Sequence, residues 1–187
     1  MRVLIAEDET LIRLDLRQLL ERAGLEVCAE AHDGEEAVEL AREHAPDVAV
    51  LDVKMPRLDG IEAARRITTE RPIPIVIISA YSELTLVERA AEAGVYGYLT
   101  KPFREEDVLP ALATARARFD ELAAAREEAA SLSEALAARK AIERAKGLLM
   151  AKEGLTEAAA FGRLRKASQV SGRPMSVIAD AVVATLG

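Results

Sequence analysis

The chain has 187 residues, half of them apolar and 30% charged, with 3% aromatic residues and no tryptophan. That balance describes a globular protein of one or two domains whose core is built from Ala, Leu, Val and Ile. It argues against a membrane-spanning chain, because an apolar run such as Ile75-Val76-Ile77-Ile78 is far too short to cross a bilayer. The single cysteine, Cys28, excludes an internal disulfide and reads as a buried structural thiol. A triple acidic cluster, Glu7-Asp8-Glu9, interrupts the N-terminus where a secretory signal would need apolar length, so a cytoplasmic protein is expected. The net charge of −7 is unevenly spread: residues 1–115 hold 13 Lys and Arg against 23 Asp and Glu, whereas residues 137–187 hold 9 against 4. The basic tail reads either as a solvated helix surface or as a surface for a polyanion.

The first hundred residues alternate short apolar runs with amphipathic stretches. Val3-Leu4-Ile5-Ala6 predicts a strand that ends in acid, and Leu11, Leu14, Leu16, Leu19 and Leu20 give helical periodicity over 10–23, closed by Gly24. A second strand is predicted over 25–29, and Asp33-Gly34-Glu35-Glu36 opens a helix that ends near His44. A third strand over 48–51 again ends in an acid, Asp52, and a helix follows Gly60. The fourth strand, 73–78, ends at Ser79, a helix is predicted over 84–93, and a fifth strand covers 95–99. Near-continuous apolar strands alternating with helices predict an α/β fold with a parallel sheet covered on both faces.

From Glu105 onward strand signals stop. One long helix is predicted over 105–152, with Leu112, Ala115, Phe119, Leu122, Ala125, Ala129, Leu132 and Leu136 at 3–4 spacing. This stripe reads as a coiled-coil-like seam or as a connecting helix lying against the first domain. Gly154 ends that helix, Thr156 caps the next, Gly172-Arg173-Pro174 breaks it, and Ser176 is expected to cap a last helix through Leu186.

In an open parallel α/β sheet, ligands bind at the carboxyl ends of the strands. The residues that follow the strands are Glu7, Asp8, Asp52, Ser79 and Lys101: three acids, a hydroxyl and an ammonium. Clustered carboxylates repel unless a cation sits among them, and Mg2+ fits oxygen ligands while leaving positions open. His32 and His44 show no metal-ligand spacing and read as surface residues.

Glu7-Asp8-Glu9, Asp52-Val53-Lys54-Met55-Pro56-Arg57-Leu58-Asp59-Gly60, Ser79-Ala80 and Lys101-Pro102-Phe103 occur in the order and spacing of receiver-domain motifs. Over about residues 1–118 the chain resembles the two-component response regulators. The resemblance implies a doubly wound, flavodoxin/CheY-like five-stranded sheet of order 2-1-3-4-5. It implies that Asp52 takes a phosphoryl group from the phosphohistidine of a sensor histidine kinase. Mg2+ would be held by Asp8, by Asp52, by the Lys54 backbone carbonyl, and by Glu7 directly or through water. Lys101 would hold a phosphoryl oxygen, Ser79 would be the switch hydroxyl, Ala80 would leave room, and Tyr98 would be the switch aromatic. The Lys101–Pro102 bond would be cis, and Gly60 would serve the turn after the phosphorylation loop. The receiver would catalyse its own phosphoryl transfer and dephosphorylation and act on no separate substrate.

Arg139-Lys140-Ala141-Ile142-Glu143-Arg144-Ala145-Lys146-Gly147-Leu148-Leu149-Met150 and Gly154-Leu155-Thr156-Glu157-Ala158 resemble the ANTAR output domain of antitermination regulators, over about residues 128–187. That resemblance implies a three-helix domain that binds RNA hairpins to prevent transcription termination, usually as a homodimer. By periodicity alone, Ile142, Ala145 and Leu149 share one helical face that would pack against Phe161 and Leu164. Arg139, Lys140, Arg144, Lys146, Arg163, Arg165, Lys166 and Arg173 could form a positive surface for RNA phosphates. With Phe161 expected in the core, base stacking is not the expected mode. Gly147, inside a helix at a cost of about 1 kcal/mol relative to Ala, suggests close approach of another backbone or a nucleic acid. The expected organisation is a receiver over 1–118, a helical connector over 119–131 and the output domain over 132–187. A competing reading makes the tail a dimerisation or protein-docking module that binds no RNA.

Overall fold

A computed structural model describes residues 1–80, 89–90 and 93–187. The chain divides into two compact units, Met1–Ala123 and Ala124–Gly187.

In the first unit, strands β1 (Arg2–Ala6), β2 (Glu26–Ala31), β3 (Val48–Asp52), β4 (Ile75–Ser79) and β5 (Val95–Thr100) form one sheet of order β2-β1-β3-β4-β5. All four neighbouring pairs are parallel. Because side chains alternate across a strand, the buried apolar residues sort into two layers. Leu4, Ala49, Leu51, Ile75 and Ile77 pack with helices α2 (Gly34–His44) and α3 (Gly60–Glu70). Val3, Ile5, Val48, Val50, Val76 and Ile78 pack with α1 (Thr10–Arg22) and with the start of α4 (Glu105–Glu153) through Val108, Leu112 and Ala115. Two helices begin on aspartate caps: Asp33 accepts from the Glu35 and Glu36 amides, and Asp59 from the Glu62 amide. The helix expected over 84–93 falls for the most part outside the described residues.

The second unit contains the C-terminal part of α4 together with α5 (Glu157–Ser171) and α6 (Met175–Leu186). Ala145, Leu149, Ala160, Leu164 and Ala179 form its buried core. Gly154 and Gly172 carry positive φ of 68° and 67° where α4 and α5 end, and Thr156 caps α5 by accepting from the Ala159 amide.

Several local expectations differ from the structure. Leu16, Leu19 and Leu20 are buried, but Leu11 and Leu14 of the same stripe are 82% and 44% exposed, because α1 covers the sheet with one narrow face. The last helix begins after Pro174 with no side-chain cap, and Ser176 lies within its first turn. The Pro174 carbonyl accepts from the Val177 and Ile178 amides at 3.1 and 3.3 Å, so backbone meets first-turn donors that a capping hydroxyl would otherwise serve. Phe161 is 42% exposed rather than in the core, since Ala160 and Leu164 already occupy the inward face of α5. Leu122, Leu132 and Leu136 on α4 are also exposed. Among the described residues, no helix is long and apolar enough to cross a membrane.

Candidate functional site

The β1 and β3 strands end side by side, which brings Glu7, Asp8 and Asp52 together at one edge of the sheet. One carboxylate oxygen from each lies within 4.8 Å of the others. Glu7 and Asp52 are buried, whereas Asp8 is exposed and leaves the group open to solvent. Lys101, just beyond β5, reaches into this group: its Nζ lies 2.7 Å from Glu7 Oε2 and 2.7 Å from Asp52 Oδ1. The Lys54 amide donates to Asp52 Oδ2 at 2.8 Å, so the carboxylate is fixed from both sides. The Lys101 amide donates to the Ser79 carbonyl at 2.8 Å, which ties the end of β4 to the loop that carries the ammonium. Ser79 is buried at the end of β4, and Tyr98 is half-buried against the α2/α3 layer. The Lys101–Pro102 peptide bond is cis.

Electrostatically the site gathers negative charge: three carboxylates cluster around the Lys101 ammonium, and burial raises the pKa of both Glu7 and Asp52, against the opposing pull of Lys101. For Lys101, burial lowers the pKa, but hydrogen bonds to the two carboxylates outweigh it and the net direction is up. Glu7 Oε2 is buried with the Lys101 ammonium 2.7 Å away. A hard divalent cation such as Mg2+ suits this donor set of clustered carboxylate oxygens, because it would offset their mutual repulsion.

The loop between β3 and α3 is held by contacts that the sequence did not disclose. Arg57, with a positive φ of 63°, pairs with the buried carboxylate of Asp33 at the start of α2. A Cβ on Gly60 would lie 1.9 Å from the Asp52 carbonyl oxygen, and one on Gly34 would lie 2.2 Å from that of Leu58. Asp33 was legible as a helix start, but its pairing with a residue 24 positions away has no local signature. His32, Asp33 and Glu36 also cluster. Their groups are taken up by the chain itself, Asp33 as a cap and Glu36 by the His32 amide at 2.7 Å. Beside Lys101, a surface hollow of about 440 Å3 is lined by Leu11, Ile12, Asp15, Pro102 and Phe103.

In the second unit, Arg139, Lys140, Arg144, Arg165, Lys166 and Arg173 are exposed. Arg163 is exposed and paired with Glu153. Lys146 departs from the expected surface: it is 7% exposed, and its Nζ lies 3.0 Å from Glu143 and 2.7 Å from Glu157. An amphipathic count cannot separate an inward lysine from its outward neighbours, since its acidic partners lie on two different helices.

Residues 3–113 match the family model for the response regulator receiver domain, and residues 130–183 match that for the ANTAR domain. The transcriptional regulatory protein PdtaR of Mycobacterium tuberculosis is 51% identical over 186 residues, covering 100% of this chain and 91% of that protein. The chemotaxis protein CheY of Bacillus subtilis is 37% identical over 112 residues, which is 59% of this chain and 93% of that protein. Among solved structures, the signal receiver domain of the putative response regulator NarL from M. tuberculosis aligns with a TM-score of 0.57 at 35% identity, covering 59% of this chain and 91% of that one. The chain therefore belongs to the response regulators, regulatory proteins rather than metabolic enzymes, and joins a receiver domain to an ANTAR domain.

Proposed function

We propose that this response regulator accepts a phosphoryl group on Asp52 from a sensor histidine kinase and, so modified, binds RNA hairpins through its ANTAR domain to prevent transcription termination. The observation that carries the first half is the convergence of Asp52 with Glu7, Asp8 and Lys101. Asp52 Oδ would attack the phosphorus of the phosphohistidine as the N–P bond breaks and the imidazole leaves. Phosphoryl transfer depends mainly on positioning and charge neutralisation. Lys101 supplies one positive charge at 2.7 Å from the acceptor carboxylate. Glu7, Asp8, Asp52 and the Lys54 carbonyl would hold Mg2+, which supplies further neutralisation of the phosphoryl oxygens. Ser79 and Lys101 then follow the new phosphoryl group, and Tyr98 moves with them as the switch aromatic. The exposed apolar hollow beside Lys101 supports docking of the kinase at this edge.

The second half rests on the ANTAR match and on the exposed basic residues of the second unit. The domains are assigned as receiver 1–118, connector 119–131 and RNA-binding domain 132–187. The exposed Leu132 and Leu136 support a homodimer through α4. A cytoplasmic setting follows from the kinase and RNA partners. The test is intact-mass measurement after treatment with acetyl phosphate and Mg2+. Wild type gains one phosphoryl group, whereas Asp52→Asn and EDTA-treated wild type gain none; label retained on Asp52→Asn means that the acceptor lies elsewhere.

A further inference from the structure

Two glycines of the second unit have no explanation inside the fold. Gly147 lies within α4 and Gly162 within α5, and a Cβ on either would meet nothing within 4 Å. The other glycines, the last residue aside, either carry positive φ or sit where a Cβ would meet neighbouring atoms at 3.0 Å or less. Glycine in a helix interior is unfavourable relative to alanine, because the unfolded chain has more freedom to lose. Two such positions in a unit of this size, with no internal contact that requires them, point to an external surface that comes close to the helix.

Charge identifies that surface. Gly147 shares a helical stripe with Lys140 and Arg144, at seven and three residues before it, and all three positions are exposed. Arg165 and Lys166 lie three and four residues after Gly162 and are likewise exposed. The intervening lysine, Lys146, is turned inward and joins the two helices by pairing with Glu143 on α4 and Glu157 on α5. It therefore braces the elements that carry the glycines without adding to their exposed charge. Two copies meeting through this same face would bring these cations against their own kind, whereas a polyanion is complementary to them.

We infer that Gly147 and Gly162 are clearance points at which the sugar–phosphate backbone of bound RNA passes close to α4 and α5, gripped by Lys140 and Arg144 beside the first and by Arg165 and Lys166 beside the second. This rests on the RNA-binding reading above. The glycines act by absence of a side chain, so they set how closely and in which orientation the RNA seats, while the cations set its electrostatic attraction.

The test uses the full-length chain and a fluorescent stem–loop RNA selected against wild type from a pool with randomised loops. Gly147→Ala, Gly147→Leu, Gly162→Ala and Gly162→Leu are compared by anisotropy, melting temperature and sedimentation. The Ala variants should melt higher by roughly 4–8 °C, because helix propensity improves and nothing is crowded. Their Kd should nevertheless rise about fivefold, and that of the Leu variants about a hundredfold, as the added atoms obstruct the RNA. The dependence of log Kd on log salt should keep the wild-type slope, since no charge is removed. Unchanged Kd across both series overturns the inference. So does a lower melting temperature in the Ala variants, which would reveal an internal packing role, or a loss of affinity that follows a loss of dimer, which would assign the surface to a second copy. If the selection yields no RNA bound by wild type, it is the RNA reading itself that falls.

Discussion

The two units use charged side chains in opposite ways. In Met1–Ala123 the groups at the site are drawn inward, with Glu7 and Asp52 buried and Lys101 bridging them at 2.7 Å. In Ala124–Gly187 the basic residues stand outward, and Lys146, itself buried but paired with two exposed acids, is the exception. Buried charge is costly unless compensated, so each member of the receiver cluster constrains the others and implies a cation. Exposed charge costs little, so no single arginine of the second unit implies a ligand. There the information lies in combinations, such as cations beside glycines that have no packing role.

The largest expected effect comes from the size of the two cores. The second unit is organised around Ala145, Leu149, Ala160, Leu164 and Ala179. Leu164→Ala should remove about 2–5 kcal/mol, enough to unfold a unit with so small a core. Circular dichroism should then show an early transition for this unit while phosphorylation of the receiver persists. Loss of both together would mean that the units do not fold separately.

A smaller effect is expected on RNA affinity. Lys140→Ala with Arg144→Ala should reduce the log–log salt slope by about two and weaken binding, while the helices stay folded. Both side chains are exposed and lie off the face that carries Ala145 and Leu149. An unchanged slope would place the phosphate contacts on other cations.

The smallest effect concerns stability of the acidic site. Burial raises the pKa of Glu7 and Asp52 in the folded chain. The folded state therefore holds those protons more tightly than the unfolded state, and stability declines as pH rises through the raised values. In EDTA, Glu7→Gln should melt higher than wild type at neutral pH, with the difference shrinking as pH falls and Glu7 takes up its proton. A gain of about 1 kcal/mol corresponds to roughly 4 °C in the Met1–Ala123 unit. Mg2+ should raise the wild-type melting temperature more at pH 7.5 than at pH 5. The opposite pH trend would show that the Lys101 pairs outweigh the desolvation of the carboxylates.

How legible each feature was follows from the same contrast. Strand runs such as Val48–Asp52 and Ile75–Ser79 are buried along their whole length and were readable as apolar stretches ending in a polar residue. The convergence of Glu7, Asp52 and Lys101 could be read because parallel strands bring their carboxyl ends to one edge. The Asp33–Arg57 pair was not, since it depends on how a loop folds over a neighbouring helix. Phe161 and Lys146 exchanged their expected places, one outward and one inward. Residue type favours the reverse, but the packing of Ala160 and Leu164 and the acids Glu143 and Glu157 decide otherwise. Leu11 was misplaced for a related reason: periodicity gives the face of a helix but not how much of that face the sheet can cover.

The central claim is that phosphorylation at Asp52 governs RNA binding, and the most direct measurement is RNA affinity of wild type and Asp52→Asn with and without acetyl phosphate and Mg2+. Residues 1–115 already carry 23 acidic against 13 basic residues, and a phosphoryl group adds further negative charge. Simple Coulomb repulsion would therefore weaken RNA binding on phosphorylation. The expected result is the reverse: affinity for the stem–loop RNA rises on phosphorylation of wild type and stays at the unphosphorylated level in Asp52→Asn, a sign opposite to the one that Coulomb repulsion alone would give. Equal affinity in all four conditions, or weakening confined to phosphorylated wild type, would contradict it.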